Sequence, residues 1–152
     1  MSQKVIALLN EARSRELTAI SQYMVQHYEL EDRAFGKLAK KMKEIAIQEM
    51  KHAEGLAERI LFLKGEPTTK PDAGTQKGQE IPAMLATDIG LENAAIKMYN
   101  EASLTCAAQK DQISKELFEK LLAEEEEHFN FFDNTNEHLE KLGAAYLATL
   151  AD

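Results

Sequence analysis

Cysteine, tryptophan, proline and glycine are all scarce in this sequence of 152 residues. The one cysteine, Cys106, excludes an internal disulfide and any cysteine-based zinc or iron–sulfur site within a single chain. All three prolines and three of the seven glycines fall between Gly65 and Pro82. This segment, GEPTTKPDAGTQKGQEIP, is therefore predicted to be the one long loop of the chain.

The sequence also lacks a long apolar run and an excess of basic residues. No stretch approaches the roughly 20 apolar residues that a membrane-spanning helix needs. With 18 basic and 26 acidic residues, the net charge of -8 disfavours nucleic acid and anionic membranes as partners and favours cations. The opening segment MSQKVIALLN lacks the long apolar core of a signal peptide, so we expect a cytoplasmic location.

Helix-forming residues dominate on both sides of the predicted loop, with apolar residues at helical spacing. The predicted helices cover residues about 3–33, 36–63, 82–109 and 112–141. Breaks near Gly36 and Asp111 separate the helices of each half, and LGAAYLATLAD after Gly143 predicts a short fifth helix. We therefore expect one all-α domain over residues 1–152, an antiparallel four-helix bundle with a long crossover between its second and third helices.

Each predicted helix carries a glutamate in the middle of its apolar face: Glu16, Glu49, Glu92 and Glu125. A buried carboxylate is costly unless it is paired or binds a metal, and the apolar faces supply no lysine or arginine. On the second and fourth helices a histidine follows three residues later, so that both side chains project from one side. These histidines are His52 and His128. The pattern predicts two divalent cations bound by four carboxylates and two neutral histidines.

The two halves of the chain repeat this pattern at a constant shift of 76 residues, the difference between positions 16 and 92. Glu16, Tyr23, Glu49 and His52 correspond to Glu92, Tyr99, Glu125 and His128. The midpoint between the two glutamates of each half lies beside a predicted turn. Folding each half into a hairpin therefore brings its two glutamates to the same level.

The motifs Glu49-Met50-Lys51-His52 and Glu125-Glu126-Glu127-His128, with Glu16 and Glu92, resemble those of the bacterioferritins, a branch of the ferritin-like di-iron family. The resemblance covers nearly the whole chain. It implies that the six glutamates and histidines named above bind two iron ions per subunit in a ferroxidase centre, with Glu49 and Glu125 as bridges. It also implies that Tyr23 donates a hydrogen bond to a ligand.

The function implied by this resemblance is iron storage and detoxification. The protein would oxidise Fe(II) to Fe(III) with O2 or H2O2 and store ferric mineral inside a homo-oligomeric cage of 24 subunits. The family also carries a haem b shared between two subunits, held by a methionine from each, and Met50 stands at that position. Some relatives hold an extra iron on the inward side of the second helix, where Glu44 and Gln48 occupy the matching positions here.

Two alternatives remain open at the level of sequence. One is a di-metal oxygenase or peroxidase of the same class, and the other is a haem-binding cage with an inert metal site. Among other residues, Glu124 is interpreted as part of a solvent-exposed acidic run, and Tyr99 as an ordinary core tyrosine. Cys106 is interpreted as a small buried residue.

Overall fold

The computed structural model describes residues 2–152, which form five helices and, within this range, no strand. The helices are α1 (Gln3–Asp32), α2 (Gly36–Phe62), α3 (Ile81–Ala108), α4 (Gln112–Leu142) and α5 (Ala144–Thr149). The all-α prediction is confirmed, and the bounds of the four long helices agree with the predicted ones to within one residue. None of the described helices is both long and apolar enough to cross a membrane.

Short turns join α1 to α2 and α3 to α4, and the two turns use the same backbone geometry. Ala34 and Lys110 both adopt left-handed conformations, with φ of 67° and 61°. The next amide in each turn, from Phe35 or Asp111, donates a 2.9 Å hydrogen bond to a carbonyl five residues earlier. Such a left-handed residue satisfies the last carbonyls of one helix while it reverses the chain. Each half therefore folds into an antiparallel hairpin, as predicted.

The segment between α2 and α3 runs along α1 and is fastened to it by side chains. Near its start, Arg13 Nε donates to the Thr68 carbonyl at 2.9 Å. Farther along, Gln22 forms a pair of hydrogen bonds with the backbone of Gln76, at 2.8 and 3.0 Å. Because successive contacts follow α1 in order, the predicted long crossover is confirmed as a strap along the bundle.

The hydrophobic core is divided into two clusters. One surrounds Tyr99 and Phe118, whose ring centroids lie 5.6 Å apart, and contains the buried thiol of Cys106. The other surrounds Tyr23 and Phe132, with centroids 5.4 Å apart. The predicted metal-binding residues belong to neither cluster. They form a separate polar layer between the two.

The short helix α5 follows a change of direction at Gly143, which has φ 58° and ψ -133°. Leu147 and Leu150 pack against the cluster around Tyr23. The Leu150 carbonyl accepts a 3.2 Å hydrogen bond from the amide of Lys37 at the start of α2. The predicted fifth helix is thus present and folds back on the bundle.

Candidate metal centre

The predicted ligands all point into the interior of the bundle. The four glutamates are each 1% exposed, and the two histidines are 4% and 3% exposed. They are Glu16 on α1, Glu49 and His52 on α2, Glu92 on α3, and Glu125 and His128 on α4. Because every long helix contributes, the relative packing of all four helices sets the geometry of the centre.

The six side chains form two overlapping groups, and within each group the candidate ligand atoms lie within 4.8 Å of one another. One group consists of Glu16, Glu49, His52 and Glu125, and the other of Glu49, Glu92, Glu125 and His128. Glu49 and Glu125 belong to both. This is the arrangement expected when two carboxylates bridge two cations and each cation has one further glutamate and one histidine.

Each of the six side chains carries one buried nitrogen or oxygen atom that has no hydrogen-bond partner. These atoms are Glu16 Oε2, Glu49 Oε1, His52 Nδ1, Glu92 Oε2, Glu125 Oε1 and His128 Nδ1. A buried polar atom without a partner costs about 1–3 kcal/mol, so their convergence calls for a common partner. Oxygen and imidazole nitrogen donors of this mix fit iron, and also manganese or zinc.

These ligand atoms lie close together, but their relative directions do not allow hydrogen bonds between them. His52 Nδ1 lies 2.9 Å from Glu125 Oε1 and 3.1 Å from Glu49 Oε1, yet none of the three atoms has a hydrogen-bond partner. The side chains are therefore directed at points between them rather than at one another, as in a coordination sphere.

The carboxylates and histidines of the centre shift one another's pKa values. Burial and the nearby Glu49 carboxylate raise the pKa of Glu16 to about 8. Burial lowers the pKa of the histidines, but the close approach and negative charge of the neighbouring carboxylates outweigh this effect. The net result is a pKa of about 11 for His52 and about 9 for His128. Metal binding must therefore displace protons from the centre.

Two tyrosines hold the outer oxygens of two glutamates. Tyr23 Oη donates a 2.5 Å hydrogen bond to Glu92 Oε1, and Tyr99 Oη donates to Glu16 Oε1. Each tyrosine thus reaches a glutamate of the other half and leaves the second oxygen of that glutamate directed at the centre. The interpretation of Tyr99 as a core tyrosine whose hydroxyl finds a carboxylate agrees with this contact but assigned the residue no role in the centre. Its 76-residue spacing from Tyr23 is the signal that identifies it.

The outward nitrogens of the histidines contact two residues that the sequence interpretation did not assign to the centre. His52 Nε2 contacts the carboxylate of Glu124, and His128 Nε2 contacts the amide oxygen of Gln48. The Glu124 side chain is 34% exposed, so it is partly solvated, as its place in the acidic run indicated, and it also contacts His52. Positions 48 and 124 are again 76 residues apart. Both contacts leave Nδ1 as the nitrogen available to a metal.

Two openings approach the centre from different sides. A cavity of about 20 Å³ is lined by the four glutamates together with Arg15 and Asp72, between α1, α3 and the crossover segment. A cleft of about 200 Å³ between α2 and α4 reaches the outer side of His52 and is lined by Gln48 and Glu124 among others. The first of these has room for a particle about as large as one water molecule.

Met50 is not part of this centre. Its side chain is 43% exposed on α2, whereas Glu49 and His52 on the same helix are buried. It therefore points out of its own bundle, as the helical spacing predicts. Glu44 is also exposed on α2.

Comparison with known proteins places this geometry in a family. A family model described as a ferritin-like domain matches residues 6–142. A bacterioferritin from Desulfovibrio desulfuricans is 45% identical over 148 residues, which cover 97% of this chain and 83% of the relative. One from Rhodobacter capsulatus is 40% identical over 147 residues, covering 97% and 91% of the two chains.

Solved structures of the same two proteins superpose closely on this chain. The D. desulfuricans bacterioferritin, described with its diiron site in different catalytic states, gives a TM-score of 0.95 over 97% of this chain and 86% of that one, at 45% identity. The R. capsulatus bacterioferritin, described with a metal-free dinuclear site and a heme iron in a crystallographic special position, gives 0.96 over 100% and 96%, at 38% identity.

Proposed function

This chain belongs to the ferritin-like family, in its bacterioferritin branch, and from that premise we propose that it oxidises Fe(II) to Fe(III) and stores the ferric product. The observation that carries the proposal is the convergence of six buried, unpartnered ligand atoms in two overlapping groups. Two divalent ions would neutralise four carboxylates and provide every one of these atoms with a partner.

In the proposed centre, Glu16 and His52 would hold one iron ion and Glu92 and His128 the other, and Glu49 and Glu125, which belong to both groups, would serve both ions. When bound, the iron supplies the redox chemistry, in which electrons pass from Fe(II) to dioxygen or hydrogen peroxide. Tyr23 and Tyr99 hold the outer oxygens of Glu92 and Glu16 and so fix the orientation of these carboxylates. The near-complete burial of all six ligands keeps bulk water away from them.

We further propose that residues 1–152 form one domain and assemble with copies of themselves into a 24-subunit cage that encloses ferric mineral. Met50 would bind a haem b together with the Met50 of a symmetry-related subunit. Its 43% exposure supports this role because a haem ligand shared between subunits has to leave its own bundle. A heme iron in a crystallographic special position, as in the R. capsulatus relative, is compatible with such sharing.

The size of the inner cavity argues against an oxygenase that acts on an organic substrate. The space that reaches the four glutamates is about 20 Å³, which suits a water-sized oxidant or a metal ion, and the larger cleft reaches only the outer side of His52. A haem-binding cage with an inert metal site would instead take up zinc and show no Fe(II) oxidation.

The double variant Glu49→Ala/His52→Ala tests the ferroxidase proposal. We expect it to assemble and to oxidise Fe(II) no faster than buffer alone, as followed by the absorbance of the ferric product. A matched control, Glu126→Ala/Glu127→Ala, removes two exposed acidic residues beside Glu125 and should oxidise Fe(II) like the unmodified protein. An undiminished initial rate in the first variant would refute the assignment. The particle mass after aerobic Fe(II) loading tests storage separately.

A further inference from the structure

The two halves of the metal centre differ in the residues that contact the outward nitrogens of the histidines. The directly facing ligands are the same on both sides, and each terminal glutamate receives one tyrosine hydrogen bond. Outside them, however, His52 meets the carboxylate of Glu124, whereas His128 meets the neutral amide of Gln48. Positions 48 and 124 are equivalent in the two halves. The sequence therefore places a charged residue beside His52 and a neutral residue beside His128.

The direction of both hydrogen bonds follows from the chemistry of the partners. A carboxylate only accepts, and the contacting atom of Gln48 is its carbonyl oxygen, which also accepts. Each histidine must therefore donate from Nε2, which leaves the Nδ1 lone pair for a metal. The opposite orientation of the Gln48 amide would place its NH2 group against Nε2, moving the imidazole proton to Nδ1 and blocking coordination.

A carboxylate strengthens a histidine ligand more than an amide does. A hydrogen bond from the imidazole N–H to an ionised acceptor is roughly twice as strong as one to a neutral acceptor. It draws the proton away from the ring, and this raises the basicity of the nitrogen that binds the metal. Among residues 2–152 the carboxylate of Glu124 has no ion-pair partner other than His52, so its charge is not shared with a lysine or arginine.

We propose that the two metal positions are inequivalent, and that the position formed by Glu16 and His52 binds a divalent ion more tightly than the one formed by Glu92 and His128. The inference rests on the proposed function, because it concerns the same centre. The expected difference is about tenfold in dissociation constant, at the lower end of the effects found when partners of metal-binding histidines are changed. At one metal ion per subunit, the Glu16–His52 position should fill first.

Cobalt(II) is a suitable probe because its absorbance reports coordination. The metal-free assembled protein is titrated with Co(II) at constant pH, and crystals grown with one Co(II) per subunit are examined by anomalous diffraction. We expect two binding steps about tenfold apart, with anomalous density concentrated between Glu16 and His52. The variant Glu124→Gln should bring the two steps together, because both histidines then meet an amide.

The exchange variant Gln48→Glu/Glu124→Gln is the decisive comparison, since it keeps composition, net charge and side-chain size unchanged. It should reverse the order, so that density appears first between Glu92 and His128. Equal filling of both positions in the unmodified protein would overturn the inference and leave the proposed function intact. A filling order that the exchange does not reverse would also overturn it. Failure to bind Co(II) or Fe(II) at either position would instead remove the proposed function itself.

Discussion

The half of the chain that forms α1 and α2 and the half that forms α3 and α4 match in the turn and in the six metal ligands, but not in the next layer of the core. Ala34 and Lys110, 76 residues apart, share one backbone conformation. Near Tyr23 the core contains Gln26 and Asp88, each 0% exposed. The equivalent positions near Tyr99 are Ala102 and Ala12. One end of the bundle is thus polar where the other is apolar.

This difference shows which positions the function constrains in both halves. A metal centre with two bridging glutamates needs the same ligands from each half, and two equal hairpins are needed to bring those ligands to one level. The layer beyond the tyrosines contacts no ligand atom directly, so the halves can differ there without changing the coordination sphere. The following predictions compare equivalent positions, from the largest expected effect to the smallest.

Removing a bridge should do more damage than removing a terminal ligand. Glu125→Gln weakens both metal positions at once, whereas Glu92→Gln weakens one. We expect Glu125→Gln to lower the initial rate of Fe(II) oxidation by at least about 100-fold, beyond what changing an outer partner costs. Glu92→Gln should leave one tight Co(II) site per subunit. Stopped-flow oxidation and Co(II) titration measure the two effects.

The equivalent variants in the other half test how far the halves are interchangeable. Glu49→Gln should reproduce the loss seen for Glu125→Gln. Glu16→Gln should retain one Co(II) site, between Glu92 and His128, about tenfold weaker than the site that Glu92→Gln leaves. A Glu49→Gln protein that still bound two Co(II) ions tightly would show that Glu125 alone bridges.

Replacing the tyrosines should produce smaller, position-specific effects. Tyr99→Phe leaves Glu16 Oε1 without its donor, and Tyr23→Phe does the same to Glu92 Oε1. Each variant should weaken Co(II) binding at its own position by about tenfold. Co(II) titration with anomalous diffraction distinguishes the positions. If only Tyr23→Phe had an effect, Tyr99 would act as an ordinary core tyrosine, as the sequence interpretation held.

The fold was predictable because its signals are local. Proline and glycine concentrate in one segment, and the helices on either side begin and end at turn residues that stand out in the sequence. The six ligands were equally visible, since a glutamate in the middle of an apolar helix face is anomalous by itself. Their spacing within each helix then placed glutamate and histidine on one side.

The contacts of Gln48 and Glu124 were not predictable in the same way. Glu124 stands in a run of four glutamates, and such a run is ordinarily solvated. Glu124 contacts a histidine on another helix, 72 positions away in the sequence. This contact depends on the rotation of α4 relative to α2, which the sequence does not reveal. The burial of Asp88 and Gln26 was not predicted for a similar reason. A single polar residue in a helix does not reveal that its neighbours exclude water from it.

Asp88 should destabilise the protein at neutral pH. Burial raises the pKa of its carboxyl well above the usual value, and neither oxygen has a hydrogen-bond partner, although Gln26 lies nearby. The folded protein therefore holds this proton to higher pH than the unfolded chain, whose carboxyl ionises near pH 3.9. The stability that Asp88 contributes is present below that pH and is lost as the pH rises through the folded pKa.

The variant Asp88→Asn removes this dependence. We expect it to raise the free energy of unfolding of the metal-free protein by about 1 kcal/mol at pH 7 and to give no gain near pH 4. Urea unfolding at the two pH values measures the difference. A gain of the same size at both would mean that packing, not charge, causes it. The comparison Ala12→Ser, at the equivalent apolar position, should destabilise the protein at both pH values.

Asp111 should show the opposite pH dependence with the smallest effect. It caps α4 by accepting a 3.0 Å hydrogen bond from the Ser114 amide and pairs with Arg59 at 2.7 Å. Burial alone would raise its pKa, but the hydrogen bonds from Ser114 and the Arg59 guanidinium lower it below the usual value. Its stabilisation is therefore present above the unfolded pKa of about 3.9 and is lost as the pH falls through the folded pKa.

The variant Asp111→Asn retains a good helix cap and loses only the charge. We expect it to lower the free energy of unfolding by about 0.5 kcal/mol at pH 7, the scale of a partly exposed ion pair, and this difference should shrink as the pH falls below about 3.9 toward 3. Urea unfolding at both pH values provides the measurement. The equivalent residue of the first turn, Phe35, forms no side-chain cap, so that hairpin has no such pH dependence to lose. A loss that persisted unchanged at pH 3 would show that Asp111 acts through hydrogen-bond geometry rather than through its charge.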